Sequence, residues 1–505
     1  MPAKVFSGAT IGLDGVLVEI ESDVLTKGLH QFSVVGLPDA AVKEARDRVS
    51  AAIKNSDFRP PHMSGRVTIN LAPADLPKSS SAYDLGMALA FLSATKQMSF
   101  SPEGKFFLGE LALDGRLRRV TSVLPLVLFA KRAGFLEVYV PRENAREAAL
   151  VPGVTIYAAE KFREITEHLE GKKLLHPESM TPLETGQKYD GTDMAEIKGQ
   201  AHVKRALEIA AAGGHNILMI GPPGSGKTLL AKAFPSILPK LSFEECLEIT
   251  QIFSVAGQLP REQALVSARP FRSPHHSAST ISLIGGGSFP KPGEISLAHR
   301  GVLFLDEFAE FPRSTLESLR QPLEDGVVVV SRAKGTLTFP ARFTLVAAMN
   351  PCPCGHFGDP ERVCGCSPYT REKYKQKVSG PILDRIDLHI EVPRLKFEAL
   401  HAGKNSESSE SIRERVERAR AMQRERLHMH GKFTNAELDV KLLEKHCSLD
   451  LGTQEILREA VSFYKLSPRA YSRVLKVART IADLAGATEI AEGHLTEALH
   501  YRLRS

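Results

Sequence analysis

Short apolar runs alternate with helical stretches along much of this chain. Residues 67–71 form a run rich in β-branched side chains, which is typical of a strand, whereas residues 83–94 have the length and composition of a helix. The same alternation returns farther along. Three further apolar runs occur there, at residues 216–220, 301–305 and 343–349. Strands that alternate with helices in this way predict an α/β fold, with two such regions in one chain.

The stretches between and after these regions differ in composition. Residues 169–193 are polar and contain prolines and glycines, which predicts a linker. Beyond Pro393, helical patterning dominates up to the end of the chain. The sequence therefore predicts an N-terminal α/β domain at 1–168, the linker, an α/β core with a parallel sheet at 194–395, and a helical region at 396–505.

Composition and charge narrow the class of protein without identifying it. A chain of 505 residues, 43% apolar and 25% charged, is typical of a soluble globular protein with several domains. The formal net charge of +6 is compatible with a polyanionic partner but far weaker than that of a dedicated basic arm. No apolar run is long enough to cross a bilayer, and Asp14 and Glu19 interrupt the segment where a signal peptide would be apolar. We therefore expect a cytoplasmic protein that does not contact membranes.

A glycine-rich motif follows the run at 216–220. It matches the pattern G-x-x-x-x-G-K-[ST] and leads into a helical stretch, which is the context that a phosphate-binding P-loop requires. Glycines let backbone N–H groups approach phosphate oxygens. We expect Lys227 to neutralise the β and γ phosphates of ATP and Thr228 to bind Mg²⁺. The predicted nucleotide-binding residues are Gly221, Pro222, Pro223, Gly224, Ser225, Gly226, Lys227, Thr228 and Leu229.

The two other apolar runs of this region end in polar side chains. The run at 301–305 is followed by Asp306 and Glu307, which is the Walker B arrangement. There Asp306 is expected to hold Mg²⁺ and Glu307 to polarise the attacking water. The run at 343–349 is followed by Asn350, whose neutral polar side chain is suited to orient water or to sense the γ phosphate. The sequence therefore predicts hydrolysis of ATP with Mg²⁺ as cofactor.

Five segments carry a resemblance to a known family. They are GPPGSGKT at 221–228, LFLDE at 303–307, AAMNPCPCG at 347–355, GPILDRIDLHIEVP at 380–393 and LSPRAYSRVLKVARTIADL at 466–484. Together they resemble the ComM/YifB family of magnesium-chelatase-like AAA+ ATPases, and the resemblance covers nearly the whole chain. It implies an AAA+ core at 194–395 and a helical lid at 396–505.

The resemblance also implies roles for individual residues. Asn350 matches sensor 1, Arg385 matches the arginine finger that reaches the γ phosphate of a neighbouring subunit, and Arg469 in the lid matches sensor 2. A guanidinium supplied by a neighbour makes hydrolysis depend on assembly, so a homo-hexameric ring is implied. A second interpretation stays open for Arg385, which lies between two aspartates and could serve only to pair with them.

Two insertions are candidates for contact with a partner. Phe289 and Lys291 lie in a segment where the family places a helix-2 insert that points into the ring pore, so they could stack on a base and meet a phosphate. Residues 327–339 predict a β-hairpin with Arg332 and Lys334 at its tip, at the place of the family's pre-sensor-1 hairpin. At both places the alternative is a solvated surface loop.

Four of the six cysteines lie close together, directly after Asn350. Four thiolates in a glycine- and proline-rich loop suit a tetrahedral Zn²⁺ site, and a reducing cytosol favours metal over disulfide bonds. Unliganded thiols and redox chemistry are the alternatives, because the spacing is C-x-C rather than the commoner C-x-x-C. The predicted zinc ligands are Cys352, Cys354, Cys364 and Cys366.

The N-terminal region, at 1–168, resembles the Lon-protease-type domain that the same family carries ahead of its motor. In that register Ala82 takes the place of the nucleophilic serine and Leu124 the place of the lysine. Neither side chain can perform the chemistry, although the serines at 79–81 offer a shifted nucleophile. The resemblance therefore implies a catalytically inactive domain that binds DNA or helps the ring to assemble.

Three classes of function follow from these observations. The resemblance favours a hexameric motor on single-stranded or branched DNA, with helicase or branch-migration activity in homologous recombination and natural transformation, alongside recombination proteins. A magnesium-chelatase-type subunit for metal insertion would share the same ATPase core. An ATP-dependent remodeller of proteins is the third class, and the missing serine–lysine pair counts against its proteolytic form.

Overall fold

The computed structural model describes residues 2–25, 30–36, 40–74, 80–182, 191–287, 290–332, 335–359, 361–395 and 407–502. The chain divides into two compact units. The first comprises Met1–Glu184 and Phe243–Val266, and the second comprises Thr185–Ser242 and Ser267–Ser505. Within the described ranges, no helix is both long enough and apolar enough to cross a bilayer.

The first unit contains two main sheets. Its strands are β1 (Ala3–Ile11), β2 (Asp14–Leu25), β3 (Gln31–Val35), β4 (Arg66–Ala72), β5 (Lys105–Phe107), β6 (Glu110–Leu111), β7 (Leu117–Arg118), β8 (Glu137–Pro141) and β9 (Thr155–Ala159). The order β1-β2-β4-β3 forms one sheet, in which β3 and β4 are parallel. The strands β5-β8-β9 form a parallel sheet, and β6 pairs with β7.

Burial in the first unit follows the pattern of its sequence. Val67, Ile69 and Leu71 on β4 are fully buried and alternate with more exposed positions, as expected for a strand with one face on the core. The helix Asp84–Ala94 is apolar on all sides, so it is buried along most of its length. The helices of this unit are Ala40–Lys54, Asp84–Ala94, Val123–Arg132, Ala145–Ala148, Phe162–Leu169 and Phe243–Ala256.

Two segments differ from the predicted division of the chain. Phe243–Val266, which the sequence places in the α/β core, packs as part of the first unit through Leu247 and Leu265. Part of the predicted linker also belongs there, because the Glu178 N–H donates to the Ile156 carbonyl at 2.8 Å. In both cases the partners are remote in the sequence, so local composition does not reveal them.

The second unit is organised around a five-stranded sheet. Its strands are β10 (Ile217–Ile220), β11 (Phe271–Arg272), β12 (Gly285–Gly286), β13 (Lys291–Pro292), β14 (Val302–Leu305), β15 (Val327–Arg332), β16 (Gly335–Pro340), β17 (Thr344–Met349) and β18 (Leu388–Glu391). The order is β11-β14-β17-β10-β18, and every neighbouring pair is parallel. This confirms the predicted parallel sheet. β14 and β17 are buried along their whole length, which explains their continuous apolar sequences.

Two antiparallel hairpins extend from this sheet's connections. β12 pairs with β13, and β15 pairs with β16 so that Arg332 faces Gly335 across the turn. The second pair is the hairpin that the sequence predicts at 327–339.

Helices complete the second unit. They are Ala201–Gly213, Lys227–Ala233, Thr280–Ile284, Glu294–Leu297, Arg313–Glu317, Arg320–Asp325, Pro368–Lys375, Gly380–Leu383, Ser409–Leu427, Val440–His446, Leu451–Tyr464, Pro468–Leu484 and Glu492–His500. The last five form the predicted helical region. Val416 and Val474 from these helices share one buried cluster with Val346 of β17, so the sheet and the C-terminal helices have a common core.

Candidate active site

Three neighbouring strands of the second unit end at the same edge of the sheet. β10 leads into the P-loop, β14 into Asp306 and Glu307, and β17 into Asn350. These strands are parallel and adjacent, in the order β14-β17-β10. Since the carboxyl ends of parallel strands face the same way, the fold collects the predicted phosphate-binding and hydrolytic residues in one place.

The conformation of the P-loop depends on its glycines. Gly224 and Gly226 have φ angles of 76° and 92°, a region that favours glycine. A Cβ atom on Gly221 would lie 2.2 Å from the carbonyl oxygen of Val392. The motif's glycines are therefore required for the turn itself, in addition to any approach of a ligand to the backbone.

Lys227 lies inside this loop. It is the first residue of the helix Lys227–Ala233 and is 8% exposed. Its Nζ donates to the carbonyl oxygens of Gly221 at 2.7 Å and Pro222 at 2.9 Å. Nζ also lies 3.4 Å from Oδ1 of Asn350. Burial lowers the pKa of Lys227, although the nearby Asp306 carboxylate acts in the opposite direction. The ammonium is thus held by oxygen atoms that phosphate oxygens can replace.

Thr228 and Asp306 meet directly. The threonine hydroxyl Oγ1 donates to Oδ2 of Asp306 at 2.8 Å, and the Glu307 N–H donates to the other carboxylate oxygen at 2.9 Å. One hydroxyl and one carboxylate at this separation are the protein oxygen ligands that Mg²⁺ uses beside bound phosphates. The residues present therefore fit the predicted Mg²⁺ site.

Glu307 has a partner that the sequence analysis did not identify. Its φ angle is 51°, and its Oε2 lies 2.8 Å from Nδ1 of His276. His276 follows β11, a strand of only two residues that is too short to produce a pattern in the sequence. Two adjacent histidines at 275 and 276 were the available signal, but their position relative to Glu307 depends on the pairing of β11 with β14.

Arg385 is held within its own chain. Nη2 forms an ion pair with Glu324, Nη1 donates to the Pro381 carbonyl at 2.7 Å, and the side chain is 11% exposed. The neighbouring Asp387 is engaged elsewhere, since it accepts from the Asn216 N–H at 3.1 Å. The structure thus pairs Arg385 with a glutamate from the helix Arg320–Asp325 and not with the aspartates beside it in the sequence.

Arg469 lies in the first turn of the helix Pro468–Leu484 and is exposed. Among the residues that the structure describes, no hydrogen bond or ion pair joins Arg469 to the P-loop. The sensor 2 assignment therefore stays a prediction from the family resemblance.

The four clustered cysteines converge in space. Their sulfur atoms all lie within 4.8 Å of one another, and the Sγ atoms of Cys352, Cys354 and Cys364 are 3.4 to 3.7 Å apart. Four sulfurs at about 2.3 Å from a tetrahedral zinc ion would be about 3.8 Å apart. The donor set, completed by Cys366, therefore fits Zn²⁺.

The cysteine loop lies directly beside the predicted nucleotide site. A Cβ atom on Gly355 would lie 2.6 Å from Cδ of Pro223 in the P-loop and 3.9 Å from Cγ of Asn350. The backbone N–H of His356 and the neighbouring thiol of Cys352 lower the pKa of Cys354 to about 6. The thiolate, the form that binds metal, is thus favoured at Cys354, whereas burial raises the pKa of Cys352 in the same cluster.

The predicted DNA contacts are only partly described. Lys291 is exposed on β13, and Arg332 is the last residue of β15. Phe289, Lys334 and the side chain of Arg332 lie outside the described part of the structure. The proposed DNA contacts of these four residues therefore stay predictions.

In the first unit, the two positions that the sequence analysis matched to a protease's serine and lysine are buried. Ala82 and Leu124 are buried in one apolar cluster. The Leu124 N–H donates to Glu147 at 3.1 Å, and Ser254 donates to the same carboxyl group at 2.5 Å. Burial raises the pKa of Glu147. The backbone of Leu124 is thus held by a buried carboxyl group, while its side chain belongs to the apolar cluster.

Comparison with known proteins identifies the family. The family described as magnesium chelatase, subunit ChlI matches residues 193–400, subunit ChlI of Mg-chelatase matches 20–144, and the ChlI C-terminal family matches 406–502. Competence protein ComM of Haemophilus influenzae is 45% identical over 99% of this chain and 97% of that protein. YifB of Salmonella typhimurium is 44% identical over 99% and 97%, and YifB of Escherichia coli is 42% identical over 99% and 96%. The chain therefore belongs to the ComM/YifB family of magnesium-chelatase-like AAA+ proteins.

Proposed function

We propose that this protein is an ATP-driven hexameric motor for DNA, with helicase or branch-migration activity in homologous recombination and natural transformation. The observation that carries the ATPase part is the meeting of Lys227, Thr228, Asp306, Glu307 and Asn350 at one edge of the parallel sheet. The similarity to a protein named for competence, over 99% of this chain, supports the DNA part.

The proposed hydrolysis follows from what each side chain donates or accepts. Backbone N–H groups of the P-loop and the Lys227 ammonium bind the phosphates of ATP. Thr228 and Asp306 would hold a Mg²⁺ ion, which supplies neutralising charge at the β and γ phosphates. Glu307 accepts a hydrogen bond from the attacking water. The water oxygen bonds to the γ phosphorus while the bond to the ADP oxygen breaks, and the released proton passes by way of Glu307 to solvent.

In the proposed ring, Arg385 of one subunit acts as the arginine finger for the γ phosphate bound by its neighbour. Arg385 is paired with Glu324 in the single chain and makes no described contact with its own P-loop. To reach a neighbour's γ phosphate, Arg385 must leave this pair. Assembly and nucleotide binding would supply the competing negative charge, so hydrolysis would depend on the ring.

A zinc ion held by the cysteine cluster is part of the proposal. Elemental analysis of protein purified without added metal should find about one zinc ion per chain, because four cysteines complete a tetrahedral site. Cys364→Ser should remove most of this zinc. Cys447→Ser is the matched control. Cys447 is buried and lies outside the cluster, so this variant should retain the zinc. Parent protein that is free of zinc and fully active would contradict the assignment.

Metal insertion is the second candidate function. The three families that match this chain are all named for the ChlI subunit of magnesium chelatase. A chelatase subunit would hydrolyse ATP without any response to DNA. Remodelling of proteins is the third candidate, and its proteolytic form is disfavoured because the first unit has Ala82 and Leu124 where a serine and a lysine would be required.

The test is the dependence of ATPase activity on DNA. We expect single-stranded or branched DNA to raise the ATPase rate of the parent severalfold and Glu307→Gln to abolish the stimulated rate. Replacing both Arg332 and Lys334 with Ala should weaken DNA binding for all sequences alike and flatten its salt dependence, because fewer counterions are released. Basal ATPase should survive in that variant. Absence of any DNA response in the parent would favour metal insertion.

A further inference from the structure

His276 reaches the hydrolytic glutamate because of the topology of the sheet. β11 pairs with β14 in parallel, with Phe271 opposite Val302 and Arg272 opposite Leu303. Chain that continues past Arg272 therefore leaves the sheet at the same edge as the chain that continues past Leu305. Four residues later His276 lies with Nδ1 at 2.8 Å from Oε2 of Glu307.

Several contacts hold the segment that carries His276. Arg272, at its start, forms a bidentate ion pair with Glu294, with N–O distances of 2.6 and 2.7 Å. The ring of His276 packs on His275, with centroids 4.0 Å apart, and meets the edge of Phe311 at 6.5 Å. The imidazole is thus positioned by its neighbours, so its contact with Glu307 does not depend on a free side chain.

The contact leaves the other half of the carboxylate available. Oε2 of Glu307 lies 2.8 Å from Nδ1 of His276, and no second side-chain partner of this carboxylate is found among the described residues. The backbone at Glu307 is left-handed, with φ of 51°, and the Glu310 N–H donates to its carbonyl at 2.7 Å. A carboxylate bound at one oxygen can accept from water with the other, as a base does when a third group orients it.

We propose that His276 is a positioning residue for ATP hydrolysis. It donates from Nδ1 to one oxygen of Glu307 and so orients the second oxygen toward the attacking water. His276 itself touches neither nucleotide nor Mg²⁺. The proposal rests on the proposed ATPase function and adds to it a residue from outside the P-loop, Walker B and sensor motifs.

The test separates turnover from nucleotide binding. His276→Ala should lower kcat about tenfold, the cost of removing a hydrogen bond to a charged group, and leave the KM for ATP within about twofold. At steady state, a larger share of the bound nucleotide should be ATP, measured after rapid quenching. His276→Asn, whose amide N–H can take the place of Nδ1, should recover much of the rate, whereas His276→Gln, with its amide one bond farther out, should not.

His275→Ala is the matched control. The His275→Ala variant removes the ring contact with His276, but His276 keeps its contacts with Phe311 and Glu307, and Nδ1 of His275 bonds to Ser277, so we expect a smaller loss of kcat than in His276→Ala. Equal losses in both alanine variants would overturn the proposal, as would an unchanged kcat, a change confined to KM, or a raised basal rate in His276→Ala. If His276→Ala does not fold, the contrast between His276→Asn and His276→Gln decides. A parent protein without ATPase activity, or an active Lys227→Ala variant, would instead refute the proposed function itself.

Discussion

Both units of this protein contain parallel strands joined by loops and helices, yet the side chains at their compared positions differ in polarity and burial. In the second unit, polar side chains at the ends of three strands meet one another, as Lys227 meets Asn350 and Thr228 meets Asp306. In the first unit, Ala82 and Leu124 are buried in an apolar cluster. Polar side chains thus meet at the strand ends of the second unit, whereas the two compared positions of the first unit are packed in its core, because the side chains and not the class of scaffold decide what a position can do.

Polar groups are present in both units, but their partners differ in kind. Asp84 of the first unit is paired with Arg48 at 3.0 Å and accepts from the Leu111 N–H at 3.2 Å, so its contacts join parts of the fold. Lys227 of the second unit donates to carbonyls of a loop whose backbone N–H groups can receive phosphate. A buried charge whose partners can be exchanged for a ligand indicates a binding site, whereas one whose partners belong to the fold is structural.

The largest expected effect is on the ATPase rate of the second unit, where two variants should differ in their affinity for ATP. Lys227→Ala and Glu307→Gln should each lower the ATPase rate at least about 100-fold, but only the first should lose affinity for ATP. The reason is that Glu307→Gln leaves every phosphate contact in place. Equilibrium binding of a fluorescent ATP analogue measures the difference. If both variants lost affinity equally, the division between a phosphate cradle and a hydrolytic carboxylate would be wrong.

A second change tests whether the proposed ATPase site of the second unit needs a residue from a neighbouring chain. Arg385→Ala should lower the ATPase rate by about 10³, because a guanidinium at the γ phosphate is lost. Mixing Arg385→Ala with Lys227→Ala chains should restore part of the rate, since each chain supplies what its neighbour lacks. The ATPase rate is measured over a range of mixing ratios.

Glu324→Gln serves as the control for this mixture. It removes the partner of Arg385 in the chain but leaves the guanidinium, so it should retain ATPase activity. Should no ratio of the two inactive chains recover any activity, Arg385 would have a structural role within its own subunit.

A third change attempts to give the first unit the chemistry that it lacks. Replacing Ala82 with Ser and Leu124 with Lys should destabilise the unit by about 3 kcal/mol or more without producing peptidase activity, because the lysine must enter a buried apolar cluster. Melting temperature and hydrolysis of a peptide substrate are the measurements. Leu124→Met, a change of similar volume, should cost less than about 1.5 kcal/mol. Peptidase activity with an unchanged melting temperature would show that positions 82 and 124 can accept a serine and a lysine and form a peptidase site.

The smallest expected effect concerns the buried carboxyl group of Asp84. Burial raises its pKa to about 6 in the folded protein, although Arg48 opposes the shift, whereas the unfolded value is 3.8. The folded state therefore binds more protons between these values, and stability is lost as the pH rises through this window. Relative to Asp84→Asn, the parent should lose up to about 3 kcal/mol between pH 4 and pH 7. A difference in melting temperature that is constant with pH would contradict this.

Much of the second unit's site could be predicted because each signal lies in one short segment. The P-loop at 221–228 has its glycines and lysine in eight consecutive residues directly after an apolar strand, and Asp306 and Asn350 each follow a strand with a continuous apolar sequence. Burial on both faces of a parallel sheet produces such sequences directly. The hairpin of β15 and β16 and the C-terminal helices were predictable for the same reason, since their patterns are local.

Tertiary structure alone decided which distant residues meet. His276 reaches Glu307 across 31 positions of the chain only through the pairing of a two-residue strand. Glu324 pairs with Arg385 across 61 positions, where the sequence offered two nearer aspartates. The segment Phe243–Val266 joins the first unit although the residues on either side of it belong to the second. Periodicity and motifs describe neighbours along the chain, whereas these contacts depend on packing between elements that the chain separates, and packing is settled only when the whole core forms.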